Sequence, residues 1–363
     1  MMKLREILAG LVMILFLSAC EKEIVLTGEN RTDRITINAI INPDTIVYAY
    51  VTESNDIDYF NLINLRGDYY QYDKIGPDKK FMYLIEELSV QALRNAKVDL
   101  VVNDRDVYAM TFDSRGMSYN SEYIPKHGDK IEIVAESNSN PLSNGSVVKL
   151  DRVEASAQLP TTTPRLYVMG SEQKIKEKEY YKVLEDFGDT VEITDMYGSD
   201  TVMRINLKIV DPVDERNYYR LIVKNVGVRY TVPNQAHPDT MCVDYFGTED
   251  LLFYDSNLVK PYGFLPANFS NVFSDELING KEYEFTVETR MRSNCVYTPY
   301  VKVELQHLSP DLYYFLKDIE VFRISDFDLY TNPIQIWSNV NGGWGVFGAM
   351  TYDTHIIPFE IEN

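Results

Sequence analysis

The chain has 363 residues, of which 45% are hydrophobic, and its formal net charge is −20 at pH 7. Nucleic acids and anionic lipid surfaces bind basic patches. No run of Lys or Arg in the sequence is long enough to form one, so we expect no nucleic-acid partner. The length and apolar content suffice for two ordinary cores, and we therefore predict two domains.

The start of the chain has the layout of a secretory signal. Lys3 and Arg5 precede an apolar run over residues 7–17. That run is shorter than the about 20 residues that a membrane-spanning helix needs. Small residues and Cys20 follow, so the segment resembles a bacterial lipoprotein signal. The resemblance implies that residues 1–19 are removed and that Cys20 is lipidated. The alternative is a cysteine that follows a signal peptide cut elsewhere.

Residues 20–33 are predicted to be a tether. Their Glu21-Lys22-Glu23 cluster resembles the export signal of surface-exposed lipoproteins of the Bacteroidota. This resemblance implies a protein held in the outer membrane by its N-terminal lipid and facing the cell exterior. A charged tether could equally serve to hold a domain away from any membrane.

Residues 34–159 show short stretches in which apolar and polar residues alternate, which is typical of strands with one buried face. The predicted strands are Ile35 to Ile41, Val47 to Val51, Val98 to Val102, Val107 to Phe112, Ile131 to Ala135 after the turn Gly128-Asp129, and Val147 to Ala157 after the turn Asn144-Gly145. The pattern predicts an antiparallel β-sandwich with immunoglobulin-like or prealbumin-like strand spacing.

Residues 54–96 form an insertion that does not alternate and is rich in aromatic residues. Binding sites are often found on long loops of this kind. We therefore predict ligand contacts, with a peptide or a glycan, from Tyr59, Tyr69, Tyr70 and Tyr72. The alternative is that these rings pack against the sandwich or the second domain. A short helix is predicted over residues 83–92.

Residues 160–165 contain two prolines that favour extended backbone, and we place an interdomain linker there. Residues 166–363 are predicted to form a larger β-sandwich. Its clearest strands are Met203 to Ile209, Tyr219 to Val223, Tyr283 to Val287, Val301 to Leu305 and the segment from Ala349 onward. One helix is predicted to begin at Pro310, with Ser309 as N-cap and an apolar stripe formed by Leu312, Phe315, Leu316 and Ile319.

Apart from Cys20, the chain contains two cysteines, Cys242 and Cys295. Because the chain has an export signal, a disulfide between these two is favoured. Two separate buried thiols are the alternative. No spacing of Cys and His suggests a metal site, and no cofactor is predicted. Two acidic groups are candidates for calcium binding, Asp104 with Asp106 and Asp211 with Asp214 and Glu215. Both are interpreted as turn formers because the glycine and distal glutamate of a known calcium loop are missing.

Two short motifs have better structural explanations than catalytic ones. Gly343, Gly345 and Gly348 fit a dinucleotide fingerprint, but a strand rather than a helix is predicted to follow them. Ser171 and Lys174 fit S-x-x-K without its partner motifs. A glycosidase needs only two carboxylates, and the sequence offers many without selecting a pair. No catalytic residue is therefore assigned.

Several motifs spread over the chain resemble the Bacteroidota outer-membrane lipoproteins grouped as domain of unknown function family 4249. They are Asn38-Ala39, Asn95-Ala96-Lys97-Val98, Gly128-Asp129, Asn217-Tyr218-Tyr219-Arg220 and the block from Ser338 to Gly348. The resemblance places the cysteine pair where the family tends to carry one. It also implies association with a TonB-dependent transporter, because such lipoproteins are similar in context to accessory partners of these importers. The family has no assigned catalytic residues.

Four threonines follow Asp and precede an apolar residue, a setting in which the Bacteroidota attach O-glycans. They are Thr45, Thr190, Thr201 and Thr240. The sequence as a whole leads us to expect a lipid-anchored, surface-exposed, non-enzymatic accessory or ligand-binding protein beside a TonB-dependent nutrient importer. The alternatives are a surface hydrolase of glycan or peptide and a structural or adhesive envelope protein.

Overall fold

The computed structural model describes residues 34–53, 92–141, 147–177, 181–187, 190–196, 199–213, 215–229, 239–244, 246–259, 266–290, 297–325 and 335–358. The described residues beyond residue 33 belong to one compact unit. Their secondary structure is mostly β, and none of their helices combines the length and apolar composition needed to cross a membrane.

The strands follow in chain order and are numbered accordingly. They are β1 Ile35–Ile41, β2 Tyr48–Glu53, β3 Lys97–Val102, β4 Asp106–Ala109, β5 Thr111–Asp113, β6 Ser118–Asn120, β7 Lys130–Pro141, β8 Val147–Gln158, β9 Arg165–Glu177, β10 Tyr181–Phe187, β11 Thr190–Met196, β12 Ser199–Val210, β13 Tyr218–Arg229, β14 Asp239–Asp244, β15 Val272–Ser274, β16 Glu282–Arg290, β17 Tyr297–Leu308 and β18 Trp344–Pro358. The α-helix α1 spans Pro310–Ser325, and two short 3-10 helices span Leu251–Phe253 and Asp275–Leu277.

One large sheet organises the described chain. Its strand order is β14-β13-β17-β18-β1-β2-β6-β5, with β15 also paired to β13. The pairing of β1 with β18 is parallel, whereas the other pairs are antiparallel. The first half of β18 pairs with β1 and its second half pairs with β17. A single central strand therefore joins the two halves of this sheet.

Two smaller sheets cover the large one and create two apolar cores. The sheet β4-β3-β7-β8 encloses the first core with β1, β2 and the start of β18. The sheet β16-β12-β9 encloses the second core with β13 and β17. Both cores use the inward positions of alternating strands, as Ile205, Leu207 and Ile209 do in β12, which explains why the sequence pattern identified these strands.

Helix α1 packs on the opposite face of the large sheet from the second core. Leu312 is buried there with Tyr218, Val272 and Leu308, and Leu316 packs against the same cluster. The carbonyl of Ser309 accepts the first helical hydrogen bond, from the Tyr313 N–H at 3.0 Å.

The hydroxyl of the predicted N-cap, Ser309, accepts the N–H of Ala349 at 3.0 Å. It therefore ties the helix to β18. Phe315 and Ile319, the other members of the predicted stripe, are only half-buried.

The segment from Ser338 to Gly348 is a joint between β18 and its neighbours. Asn339 makes two hydrogen bonds to the backbone of Phe347, donating to its carbonyl at 2.9 Å and accepting its N–H at 3.0 Å. Gly345 has φ +100°, and a Cβ there would lie 2.1 Å from the carbonyl oxygen of Ile37. A Cβ on Gly348 would meet Leu312 of α1 at 2.8 Å. These glycines are needed for close packing, and Gly345 and Gly348 lie within a strand, not at a nucleotide-binding turn.

The predicted fold class is confirmed: the protein is mostly antiparallel β, with sheet-on-sheet packing and a short packed helix. The predicted strand from Val98 to Val102 pairs with the next one as a hairpin of β3 and β4, and Asn103 and Asp104 in its turn have φ values of 53° and 56°. The predicted turn at 144–145 and residues 83–91 of the predicted helix fall in the undescribed segments 142–146 and 54–91, and residue 92 forms an isolated antiparallel bridge with Thr52. The domain division at residues 160–165 and the immunoglobulin-like or prealbumin-like spacing stay predictions.

Candidate functional site

An open cleft of ≈ 690 Å³ lies where the segment before β9 meets the turn after β12. It is lined by Thr162, Thr163, Pro164, Arg165, Val210, Asp211, Pro212, Tyr219, His307 and Asp353. The predicted linker therefore forms one wall. Clefts that contain ionisable groups with shifted pKa values are the usual first candidates for an active site, so each such group requires an explanation.

Asp211 is the central buried carboxylate of this cleft. Its Oδ1 accepts the Tyr219 hydroxyl at 2.6 Å, and its Oδ2 accepts the backbone N–H of Gly280 at 2.9 Å. The Asn217 side chain approaches Oδ1 at 3.5 Å. Burial raises the pKa of Asp211 and that of Tyr219. Because the carboxylate accepts hydrogen bonds from Tyr219, Gly280 and Asn217, this geometry fits a structural anchor better than a proton-transfer group.

His307 lies beside this anchor. Its ring packs against Tyr219 with centroids 5.4 Å apart and planes inclined by 39°, and its Nδ1 lies 3.4 Å from the carbonyl oxygen of Thr162. Thr351 donates its hydroxyl to the same carbonyl at 2.9 Å. Burial lowers the pKa of His307, although the hydrogen bond to the Thr162 carbonyl and then the carboxylates Glu215 and Asp275 oppose the shift. The imidazole is therefore neutral at pH 7.

The lowered pKa of His307 predicts a loss of stability in acid. The unfolded chain takes up a proton near the ordinary value of 6.5, and the folded chain does so only at lower pH. The free energy of unfolding should therefore fall as pH drops below that value, by at most about 1.4 kcal/mol per pH unit. Urea unfolding of wild type and His307→Gln between pH 7 and 5 measures this slope. An equal slope in both proteins would contradict the assignment.

A second polar cluster lies under helix α1. Lys317 forms an ion pair with Asp255 and donates to the Ser270 hydroxyl at 3.0 Å. Ser270 in turn lies 2.6 Å from Glu320 Oε2. Although burial opposes it, the hydrogen bond from Lys317 lowers the pKa of Asp255, whereas burial raises the pKa of Glu320.

A nucleophilic Ser-Lys pair requires a neutral lysine and an accessible serine. Here Lys317 is held in an ion pair with Asp255, and the Ser270 side chain is buried. Ser270 also bonds to the backbone of Val272, accepting its N–H at 3.1 Å. The cluster therefore explains how α1 is fixed to β15.

Aromatic side chains form an exposed surface at the start of α1. We call Tyr218, Tyr313, Tyr314 and Trp337 the aromatic surface. The centroids of Tyr218 and Tyr313 are 4.3 Å apart, and those of Tyr314 and Trp337 are 5.3 Å apart. Tyr218 and Tyr313 anchor the group on the sheet, whereas Tyr314 and Trp337 are 41% and 43% exposed. Large exposed aromatics that cluster in this way are typical of binding surfaces.

Trp337 is held from two sides despite its exposure. Its indole Nε1–H donates to Asp311 Oδ1 at 3.1 Å, and its backbone N–H donates to Asp318 Oδ2 at 2.7 Å. Both carboxylates belong to α1, so the ring is oriented by a rigid element. A side chain fixed in advance loses less conformational freedom when a ligand binds. The aromatic surface is therefore the strongest candidate binding site in the described part of the chain.

Comparison with known proteins gives one finding. The family model described as domain of unknown function, DUF4249, matches residues 21–356. The chain belongs to the DUF4249 family. No curated protein and no solved structure matches the chain. The matched range of the DUF4249 family includes both cores, the cleft, the aromatic surface and the joint at Gly345.

The structure describes few of the sequence-predicted site residues of this DUF4249 protein. Cys20, Cys295 and the tyrosines Tyr59, Tyr69, Tyr70 and Tyr72 lie outside the described residues. Cys242 lies in β14, Thr190 in β11, Thr201 in β12 and Thr240 in β14, but the side chains of these four are not described. Thr45 is described and exposed in the turn between β1 and β2, where its hydroxyl donates to Asn42 Oδ1 at 3.3 Å. The disulfide and the glycosylation sites stay predictions.

The aromatic surface was missed by sequence reasoning. The signal available was that Tyr313 and Tyr314 fall outside the apolar stripe predicted for α1. Two large aromatic residues off the packing stripe of a helix indicate either a second contact or a binding surface. The contribution of Trp337 could not be inferred, because only the tertiary fold brings it to Asp311 and Asp318.

Within the described residues, no group of three or more His, Cys, Asp or Glu side chains is arranged to hold a metal ion.

Proposed function

We propose that this DUF4249 protein is a lipid-anchored outer-membrane protein, exposed on the cell surface, that captures a peptide or glycan ligand without chemical turnover. In this proposal it acts beside a TonB-dependent transporter as an accessory subunit. The observation that carries the ligand-binding part is the aromatic surface, whose outer ring Trp337 is both exposed and held by two carboxylates. Lipid attachment rests on Cys20 and its preceding signal.

The alternative of a surface hydrolase has one observation in its favour, the raised pKa of Asp211 in an open cleft. The hydrogen bonds of that carboxylate to Tyr219 and Gly280 favour the binding role, because they commit it to the fold. Turnover of a glycan or peptide that is lost on a single Asp or Glu substitution would support the hydrolase instead.

Membrane attachment through Cys20 predicts a sharp change in fractionation. Wild type should be recovered with outer membranes, whereas Cys20→Ala should be recovered in the soluble fraction, because a lipid chain adds about 0.8 kcal/mol of membrane affinity per buried CH₂. The double variant Cys242→Ser, Cys295→Ser is the control, because it removes the other two cysteines together and leaves no unpaired thiol. Equal membrane recovery of wild type and Cys20→Ala would contradict lipid anchoring.

The transporter association is tested with the same pair of proteins. Affinity purification in mild detergent through a C-terminal tag should recover a TonB-dependent transporter in near-equal amount with the lipidated protein and not with Cys20→Ala. Recovery of the lipidated protein alone would remove the accessory role. If ligand screening were also negative, a structural or adhesive role would become the better explanation.

A further inference from the structure

The chemistry of the aromatic surface points to one class of ligand. We propose that Trp337 and Tyr314 bind a neutral oligosaccharide by stacking against the C–H face of a sugar ring. This inference rests on the proposed ligand-binding role and names its substrate class. The carrying observation is a pair of exposed rings held in fixed orientation beside hydrogen-bonding side chains.

The geometry of the two outer rings suits a sugar. Their centroids are 5.3 Å apart and their planes are inclined by 46°, so the two ring faces meet at an angle. A pyranose ring presents its axial C–H groups to aromatic rings, and stacking releases water from the sugar face and from the aromatic face. The indole and phenol faces carry partial negative charge, which attracts the polarised C–H groups.

The polar side chains around the rings suit hydroxyl groups. Asp311 and Asp318 lie against Trp337, and their carboxylates accept hydrogen bonds. The Arg216 guanidinium, which donates hydrogen bonds, lies 5.7 Å from the Tyr218 ring on the inner side of the surface. A sugar hydroxyl both donates and accepts, so it can pair with either type of group. Two carboxylates and a chain charge of −20 disfavour an acidic sugar.

The same surface offers little to a peptide. A peptide that adds a strand needs an unpaired sheet edge. Next to the rings, Tyr218 pairs with Leu308 of β17 on one side and with Ser274 of β15 on the other. A helical peptide needs an apolar groove, whereas the outer rings are bordered by carboxylates. Peptide capture is therefore an outcome of the test that would overturn this inference.

The test uses the full-length lipidated protein in mild detergent. It is screened against cellohexaose, maltohexaose, mannohexaose, xylohexaose and galactan oligosaccharides, and in parallel against a tryptic peptide mixture. We expect binding to at least one neutral oligosaccharide. Calorimetry on the best one should show that Trp337→Ala weakens affinity at least about tenfold.

The chain supplies a matched control for this substitution. It contains two tryptophans, and Trp344 is also 43% exposed, but its ring lies under Arg34 at the start of β18. Trp344→Ala should change affinity by less than about twofold. Each variant is compared with wild type by thermal unfolding. If Trp337→Ala does not fold, Tyr314→Ala replaces it with the same expected loss.

The outcomes separate this inference from the proposed function. Oligosaccharide binding unaffected by both Trp337→Ala and Tyr314→Ala would overturn the site. Binding of peptides alone, with loss on Trp337→Ala, would overturn the sugar class and keep the ligand-capture role. Absence of binding to any probe would overturn the inference, while transporter recovery would still support the accessory role. Oligosaccharide binding without transporter recovery would support the inference and contradict the accessory role.

Discussion

Replacing Gly345 with Ala is expected to lower the free energy of unfolding by about 3 to 5 kcal/mol. Two costs combine at this position. The backbone has φ +100°, a value that residues other than glycine rarely adopt, and the new Cβ would lie 2.1 Å from the carbonyl oxygen of Ile37. Gly345 pairs directly with Ile37 across the parallel contact of β1 and β18. Relief of the clash would therefore separate β1 from β18, the central pair that joins the two halves of the large sheet.

Gly170→Ala is the matched control for this prediction. Gly170 also lies in a strand, β9, but a Cβ there would meet no atom within 4 Å. Its effect should stay within about 0.5 kcal/mol of wild type. Urea unfolding monitored by tryptophan fluorescence measures both variants. Similar midpoints for Gly345→Ala and wild type would show that the joint tolerates a side chain and that its glycines have another role.

This joint also shows where sequence reasoning reached its limit. Alternation identified β1, β12 and β17 because each has one face in a core, and that periodicity is local. The last strand was predicted from Ala349, yet β18 begins at Trp344. The two glycines within its first half count against a strand by propensity. They are there because the Ile37 carbonyl and Leu312 approach too closely for a side chain, and those contacts depend on the tertiary fold.

The candidate site was less predictable than the fold for the same reason. Tyr314 and Trp337 lie in separate segments, and nothing in either segment alone indicates that they meet. Asp311 and Asp318 are the acidic residues that hold Trp337. From the helix sequence alone they would be interpreted as ordinary solvent-facing residues. Sequence patterns identify what one element buries, whereas a surface site is assembled from several elements.

Asp211→Ala is expected to lower the free energy of unfolding by about 3 kcal/mol. The substitution leaves the Tyr219 hydroxyl and the Gly280 N–H without their acceptor, and both groups are at least partly buried. Tyr219→Phe removes only one donor and keeps the aromatic ring, so it should cost about 1 kcal/mol. Together with the double variant, these two form a cycle that measures the coupling between carboxylate and hydroxyl.

The pH dependence of the change in unfolding free energy caused by Asp211→Ala distinguishes a structural anchor from a catalytic acid that destabilises the fold. Burial raises the folded-state pKa of Asp211, so the folded chain keeps a proton that the unfolded chain releases. The contribution of Asp211 is therefore fully present below the ordinary carboxyl pKa and declines as pH rises through the folded value. An anchor should still contribute at pH 7, because the Tyr219 and Gly280 hydrogen bonds persist with the ionised carboxylate. If Asp211→Ala is as stable as wild type or more stable at pH 7, the carboxylate destabilises the fold. That result would contradict the anchor role and would support a hydrolase site in the cleft.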